Sequence, residues 1–183
     1  MIEIEPIERC FVEDDGSLPG IELKFGNPDE VPRVYEFLVS RSTITTPNAT
    51  YWDEQKQRDV RIDTVPHPAM LVARGFASHF HHCVAGLSID GTVLPELGVF
   101  VFKDSIEIDY RMGPEWTRNC ILAFLELIHR LHCLAPSAEL SCAVVEEMPA
   151  SDSFLLAWRE YHRQRSDHDN HGGNPNQMGF RQT

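Results

Sequence analysis

Isoleucines at 2, 4 and 7 interleave with Glu3, Glu5 and Glu8 before Phe11 and Val12, an alternation that predicts an opening strand. Turn signals follow at Asp14-Asp15-Gly16 and Pro19-Gly20, and Ile21 to Phe25 alternates again, so the start reads as a hairpin. Asn27-Pro28-Asp29-Glu30 then has the form of a helix start: an Asn cap, a Pro in the first turn, and acids at the positive end of the dipole. Val31, Val34, Phe37 and Leu38 fall on one stripe of that helix, which is expected to end near Arg41. From Ser42 to Pro68 the periodicity fades and a long loop is expected, with Tyr51 and Trp52 as its large aromatics.

Beyond it, Ala69–Phe76 and His79–Ile89 are predicted strands, and Asp90-Gly91 is a turn. Leu97–Phe102 and Ile106–Arg111 are separated by only Lys103-Asp104-Ser105, which forces an antiparallel meander because a parallel crossover needs many more residues. Gly113-Pro114-Glu115 is expected to open the longest helix, with Trp116, Cys120, Phe124, Leu127, Ile128 and Leu131 covering the sheet as far as Cys133. Glu139–Val145 reads as another strand. Ser151-Asp152 caps a last helix striped by Phe154, Trp158 and Tyr161, and past Arg163 the chain is almost wholly polar. The fold class expected is α+β: a mostly antiparallel sheet of about six strands with two or three helices on one face. Residues 1–163 are expected to form a single domain and residues 164–183 a polar C-terminal tail.

Composition adds that 42% of the 183 residues are hydrophobic and 24% charged, which is ordinary globular usage and ample for a core. The formal net charge of −12 opposes nucleic acid and anionic membrane surfaces, both of which need cationic contacts, and favours a basic protein partner through long-range steering. Much of the excess lies early, where Glu3, Glu5, Glu8, Glu13, Asp14, Asp15, Glu22, Asp29 and Glu30 face only Arg9 and Lys24. Cys10, Cys83, Cys120, Cys133 and Cys142 are odd in number and include no CxxC, and the first residues have neither a basic region nor a long apolar run. Reduced thiols and a cytoplasmic location are expected. The strong preference for Arg over Lys, which occurs only at 24, 56 and 103, is the coding bias expected of a GC-rich bacterial or phage genome.

Candidate chemistry is sparse. On one face of a strand, His79, His81 and Cys83 supply metal-capable or nucleophilic groups, but ligands two apart on a flat strand splay, so no metal and no cofactor is assigned. His129 and Cys133 form an i, i+4 pair on the long helix, most economically read as its polar edge. No Gly-x-Ser-x-Gly, phosphate loop, dinucleotide fingerprint or HExxH is present. By elimination the sequence reads as an acidic protein-binding module, of inhibitor or immunity type, that neutralises a basic partner. The expected contact residues are Glu13, Asp14, Asp15, Asp29, Glu30, Tyr51 and Trp52. A small enzyme using the His/Cys strand and a structural subunit of a larger assembly, with a possible homo-oligomer, are the alternative readings.

Overall fold

The computed structural model describes residues 3–14, 16–143 and 151–171. The first segment departs from its predicted strand: Glu5–Val12 is a helix (α1). Ile4, Ile7 and Phe11 are spaced by three and four, which suits a helix as well as their alternation with Glu suits a strand. Pro6 lies in the first turn, where its missing N–H is harmless, and all three apolar side chains are buried. Among the described residues no hairpin therefore precedes β1 (Gly20–Phe25).

Helix α2 (Glu30–Val39) follows as expected, with Val31, Val34 and Leu38 buried. The 42–68 loop holds more structure than its composition suggests: β2 (Thr43–Ile44), a hairpin of β3 (Thr50–Asp53) and β4 (Arg58–Arg61), and a short 3-10 turn at Ile62–Thr64. Ala69–Phe76, predicted as strand, is entered instead by helix α3 (Pro68–Ala73). Pro68 occupies its first turn, Ala69, Val72 and Ala73 share its buried side, and Gly75 at φ +74° turns the chain out.

Strand β5 (Phe80–Ala85) is followed by a tight hairpin of β6 (Ser88–Ile89) and β7 (Thr92–Val93), turning at Asp90-Gly91 with positive φ at both. The meander runs through β8 (Leu97–Val101) and β9 (Ser105–Tyr110). Helix α4 (Arg118–Leu134) starts later than predicted, because the Thr117 hydroxyl caps it by accepting from the Cys120 N–H at 3.3 Å. Strand β10 (Ala138–Ala143) and helix α5 (Ser151–His171) complete the described chain, and α5 is longer than α4, at 21 residues against 17. It runs eight residues past Arg163, into the stretch expected as tail.

Six strands form one antiparallel sheet in the order β10-β1-β9-β8-β5-β2. Along each of its long strands burial alternates. Ile21, Leu23 and Phe25, Leu97, Val99 and Val101, Ile106, Ile108 and Tyr110, and Phe80, His82 and Val84 are buried together with the apolar sides of the helices. Apart from the buried Ser105, the opposite side chains of β1, β5, β8 and β9 are partly or wholly exposed, so the helices sit on one face, as expected for the α+β class.

A buried carboxylate ties α5 to α4. Glu126 accepts from Tyr161 Oη at 2.7 Å, Arg130 Nε at 2.8 Å and Arg165 Nη2 at 3.0 Å. Arg130 also forks onto Asp90 at 2.7 Å, which pins the β6–β7 turn to the same helix. Burial pushes the Glu126 carboxyl up, and the three donors outweigh it and hold the group below its ordinary value. Glu126→Gln is expected to cost about 2 kcal/mol through the weakened charged hydrogen bonds. Hydrogen exchange should report it as faster opening of α5 with the sheet amides little changed.

Candidate functional site

The acidic residues expected to form a partner surface are dispersed by the fold. Glu13 and Asp14 are exposed just before β1, and Asp15 lies outside the described residues. Asp29 is exposed just after β1, so six residues of extended strand, roughly 20 Å, separate the two groups. Glu30 is only 6% exposed and accepts from the Ser137 hydroxyl, which in turn accepts from the Asn27 N–H at 3.2 Å. It braces the turn into α2 and is out of a partner's reach. Tyr51 is a further correction: as a half-buried hairpin strand, β3 turns it inward against Phe80, leaving 2% exposed. Trp52 points the other way and is 39% exposed.

The uncovered face of the sheet gathers side chains that are remote in sequence. One cross-strand row reads Ser141, Glu22, Glu107, Phe100, His81; the next reads Gly20, Asp109, Gly98, Cys83. Glu22 therefore lies directly opposite Glu107, with Asp109 two residues along the same strand face. Like charges directly opposite each other destabilise a sheet. The effect is visible at Glu107, whose carboxyl is pushed above its ordinary value by burial and then by Asp109 and Glu22. Lys24 is the basic residue on this part of the face, and it sits opposite Glu139.

The β8–β5 half of the face is aromatic. His81 stacks on Phe100 at 4.0 Å between centroids, Phe100 on Phe102 at 5.9 Å, and Phe102 on His79 at 5.5 Å. His79, His81 and Cys83 do share one face, as the alternation predicts. Each histidine is drawn onto its own phenylalanine, and among the described residues no three metal-capable side chains converge. Burial, reinforced by Glu96 and Asp109 against a hydrogen bond with Thr46, pushes the Cys83 thiol up, which works against a thiolate nucleophile.

Where the two halves meet, a cavity of about 450 Å³ opens over Asp109. Its floor exists because Asp109 has glycines on both sides, Gly20 on β1 and Gly98 on β8. A β-carbon at Gly98 would lie 2.3 Å from Asp109 Oδ1, so only glycine leaves room for the carboxylate there. His81 Nε2 approaches Asp109 Oδ2 at 3.4 Å. Burial raises the Asp109 carboxyl, and the nearby His81 offsets part of that. Glu96, Glu115 and Arg111 stand around the rim.

On the far side, α4 and α5 bring together histidines that the sequence leaves apart. His129 Nδ1 meets His162 Nδ1 at 3.0 Å, and the His132 ring lies 4.7 Å from that of His162. Burial and then His162 lower His132, while burial alone lowers His162. Cys133 Sγ is 3.6 Å from His129 Nε2, as their i, i+4 spacing predicts.

Sequence reasoning missed Glu22, Glu107, Asp109 and Glu139 as a group. The alternation of β1, β9 and β10 places each on the polar side of its own strand, and only the register brings them together.

No family model matches the sequence, and no curated protein matches it. A chain in the crystal structure of the toxic C-terminal tip of CdiA from Pseudomonas aeruginosa in complex with immune protein is similar over 70% of this chain and 86% of that one, at 15% identity and a TM-score of 0.48. No helix among the described residues is long and apolar enough to cross a membrane.

Proposed function

We propose that the chain is a protein-binding module of the inhibitor or immunity type, which neutralises a basic partner by docking it on the uncovered, carboxylate-bearing half of the sheet. The observation that carries this reading is the Glu22–Glu107 pair, with Asp109 beside it. Such a pair costs the isolated protein stability, and a cationic surface laid across it turns that cost into attraction. The contact region thus shifts from the amino-terminal turns to strands β10, β1 and β9. Trp52 lies on the β3–β4 hairpin, outside the six strands of that sheet.

Glu22→Gln and Glu107→Gln distinguish a binding face from a merely solvated one. Each should raise the stability of the free protein, by about 0.5 kcal/mol, because each removes a cross-strand repulsion. With a partner purified by affinity capture from the source organism, the double variant should associate roughly ten-fold more slowly at low salt, and the difference should shrink as salt screens the field. Stopped-flow association measured at two ionic strengths is the check. Unchanged association of the double variant at low salt would rule this face out.

A further inference from the structure

The cavity over Asp109 has a chemistry narrower than the face around it. Asp109 has 15% of its side chain exposed, and the cation-capable group that approaches it among the described residues is His81, at 3.4 Å. His81 Nε2 is itself buried and makes no hydrogen bond of good geometry. The floor thus holds a mostly buried carboxylate whose cation-capable neighbour stands at a long 3.4 Å. Glu96 keeps one carboxylate oxygen on Thr45 Oγ1 at 2.9 Å and leaves the other available. Glu115 is folded over Gly113, where a β-carbon would come within 2.5 Å of its Oε2, so a second glycine makes space for a second carboxylate of the same cavity. Three carboxylates against the single guanidinium of Arg111 leave the lining rich in acceptors.

Resting on the docking reading above, we infer that this cavity receives the guanidinium of an arginine side chain presented by the basic partner. A guanidinium offers donors in a planar fork, which suits a carboxylate lying flat over a glycine and flanking carboxylates at the rim. The cavity's 450 Å³ accommodates that group with its stem.

The test uses ethylguanidinium as the probe, with ethylurea as its neutral isostere, on the isotope-labelled full chain. Ethylguanidinium should produce saturable shifts at the amides of His81, Cys83, Gly98 and Asp109, and ethylurea should bind at least ten-fold more weakly. Asp109→Asn, which keeps the shape, should weaken ethylguanidinium about ten-fold, and Gly98→Ala should do the same by displacing the carboxylate. Thermal unfolding confirms that both variants fold. Shifts that do not saturate, equal binding of ethylurea, or unchanged binding to Asp109→Asn would overturn the inference. The two readings fail separately. Specific ethylguanidinium binding supports the cavity even if the Glu22/Glu107 variant binds partner normally, which would overturn only the docking face. Loss of partner in that variant without any ethylguanidinium binding would retain the face and overturn the cavity.

Discussion

Phe11→Ala is expected to cost about 3–5 kcal/mol, a large share of the roughly 5–15 kcal/mol that holds a typical domain folded. The Phe11 ring is fully buried and is the hub of an aromatic cluster. Its centroid lies 5.0 Å from Tyr110, 4.9 Å from Trp116, 5.8 Å from Phe124 and 6.0 Å from Phe154. These partners come from the end of β9, the turn after it, α4 and α5, so the ring ties the amino-terminal helix to three later elements. The backbone reinforces the tie: Gly113 N–H donates to the Phe11 carbonyl at 2.8 Å, and Tyr110 Oη donates to the Cys10 carbonyl at 3.1 Å. Truncation leaves a cavity among rigid rings that cannot collapse to fill it. Urea unfolding should show the loss as a lower midpoint at similar slope, and Phe11→Leu should recover more than half of it.

Acidification is expected to remove about 3 kcal/mol of stability through His82 alone. Its ring is buried, with Nε2 3.0 Å from Tyr35 Oη, and burial lowers its pKa from 6.5 to about 4, the Cys83 carbonyl opposing and His81 adding to the shift. In the unfolded chain the imidazole takes up a proton as pH falls through 6.5, while the folded one stays neutral until about 4. Stability from this group is therefore complete above pH 6.5, falls between 6.5 and 4, and is lost below. His132 and His162, lowered in the same direction, steepen the same window. His82→Gln, whose amide oxygen can still accept from Tyr35, should flatten the slope of unfolding free energy against pH without abolishing it. Urea titrations at several pH values between 7 and 4 measure that difference directly.

What the sequence reveals depends on whether a segment's pattern fits one period. Strands β8 and β9 alternate cleanly, and the three residues between them admit only an antiparallel connection, so both lie within a residue of their predicted bounds. The first segment fits two periods at once. Its Ile-Glu alternation spans few positions, whereas the spacing of Ile4, Ile7 and Phe11 lets a helix bury all three against the cluster just described. Helix α3 is short enough that an apolar run passes for a strand, and Pro68 is the signal that distinguishes them. The candidate surface was harder to read for a different reason. The parity of each strand shows which way Glu22 and Glu107 point, but not that they are neighbours, because strand order is a property of the whole chain. The charge surplus was legible; its address was not.

The position of β1 has a consequence for synthesis. This early strand is internal to the sheet, flanked by β9 and β10, and Gly20 is paired with Ala143. Its hydrogen-bonding edges thus stay unfilled while most of the chain is still being translated. At about 5–20 residues per second, that interval is on the order of ten seconds. During it Ile21, Leu23 and Phe25 lack the partners that later bury them, which makes this stretch the natural place for a chaperone to hold the nascent polypeptide.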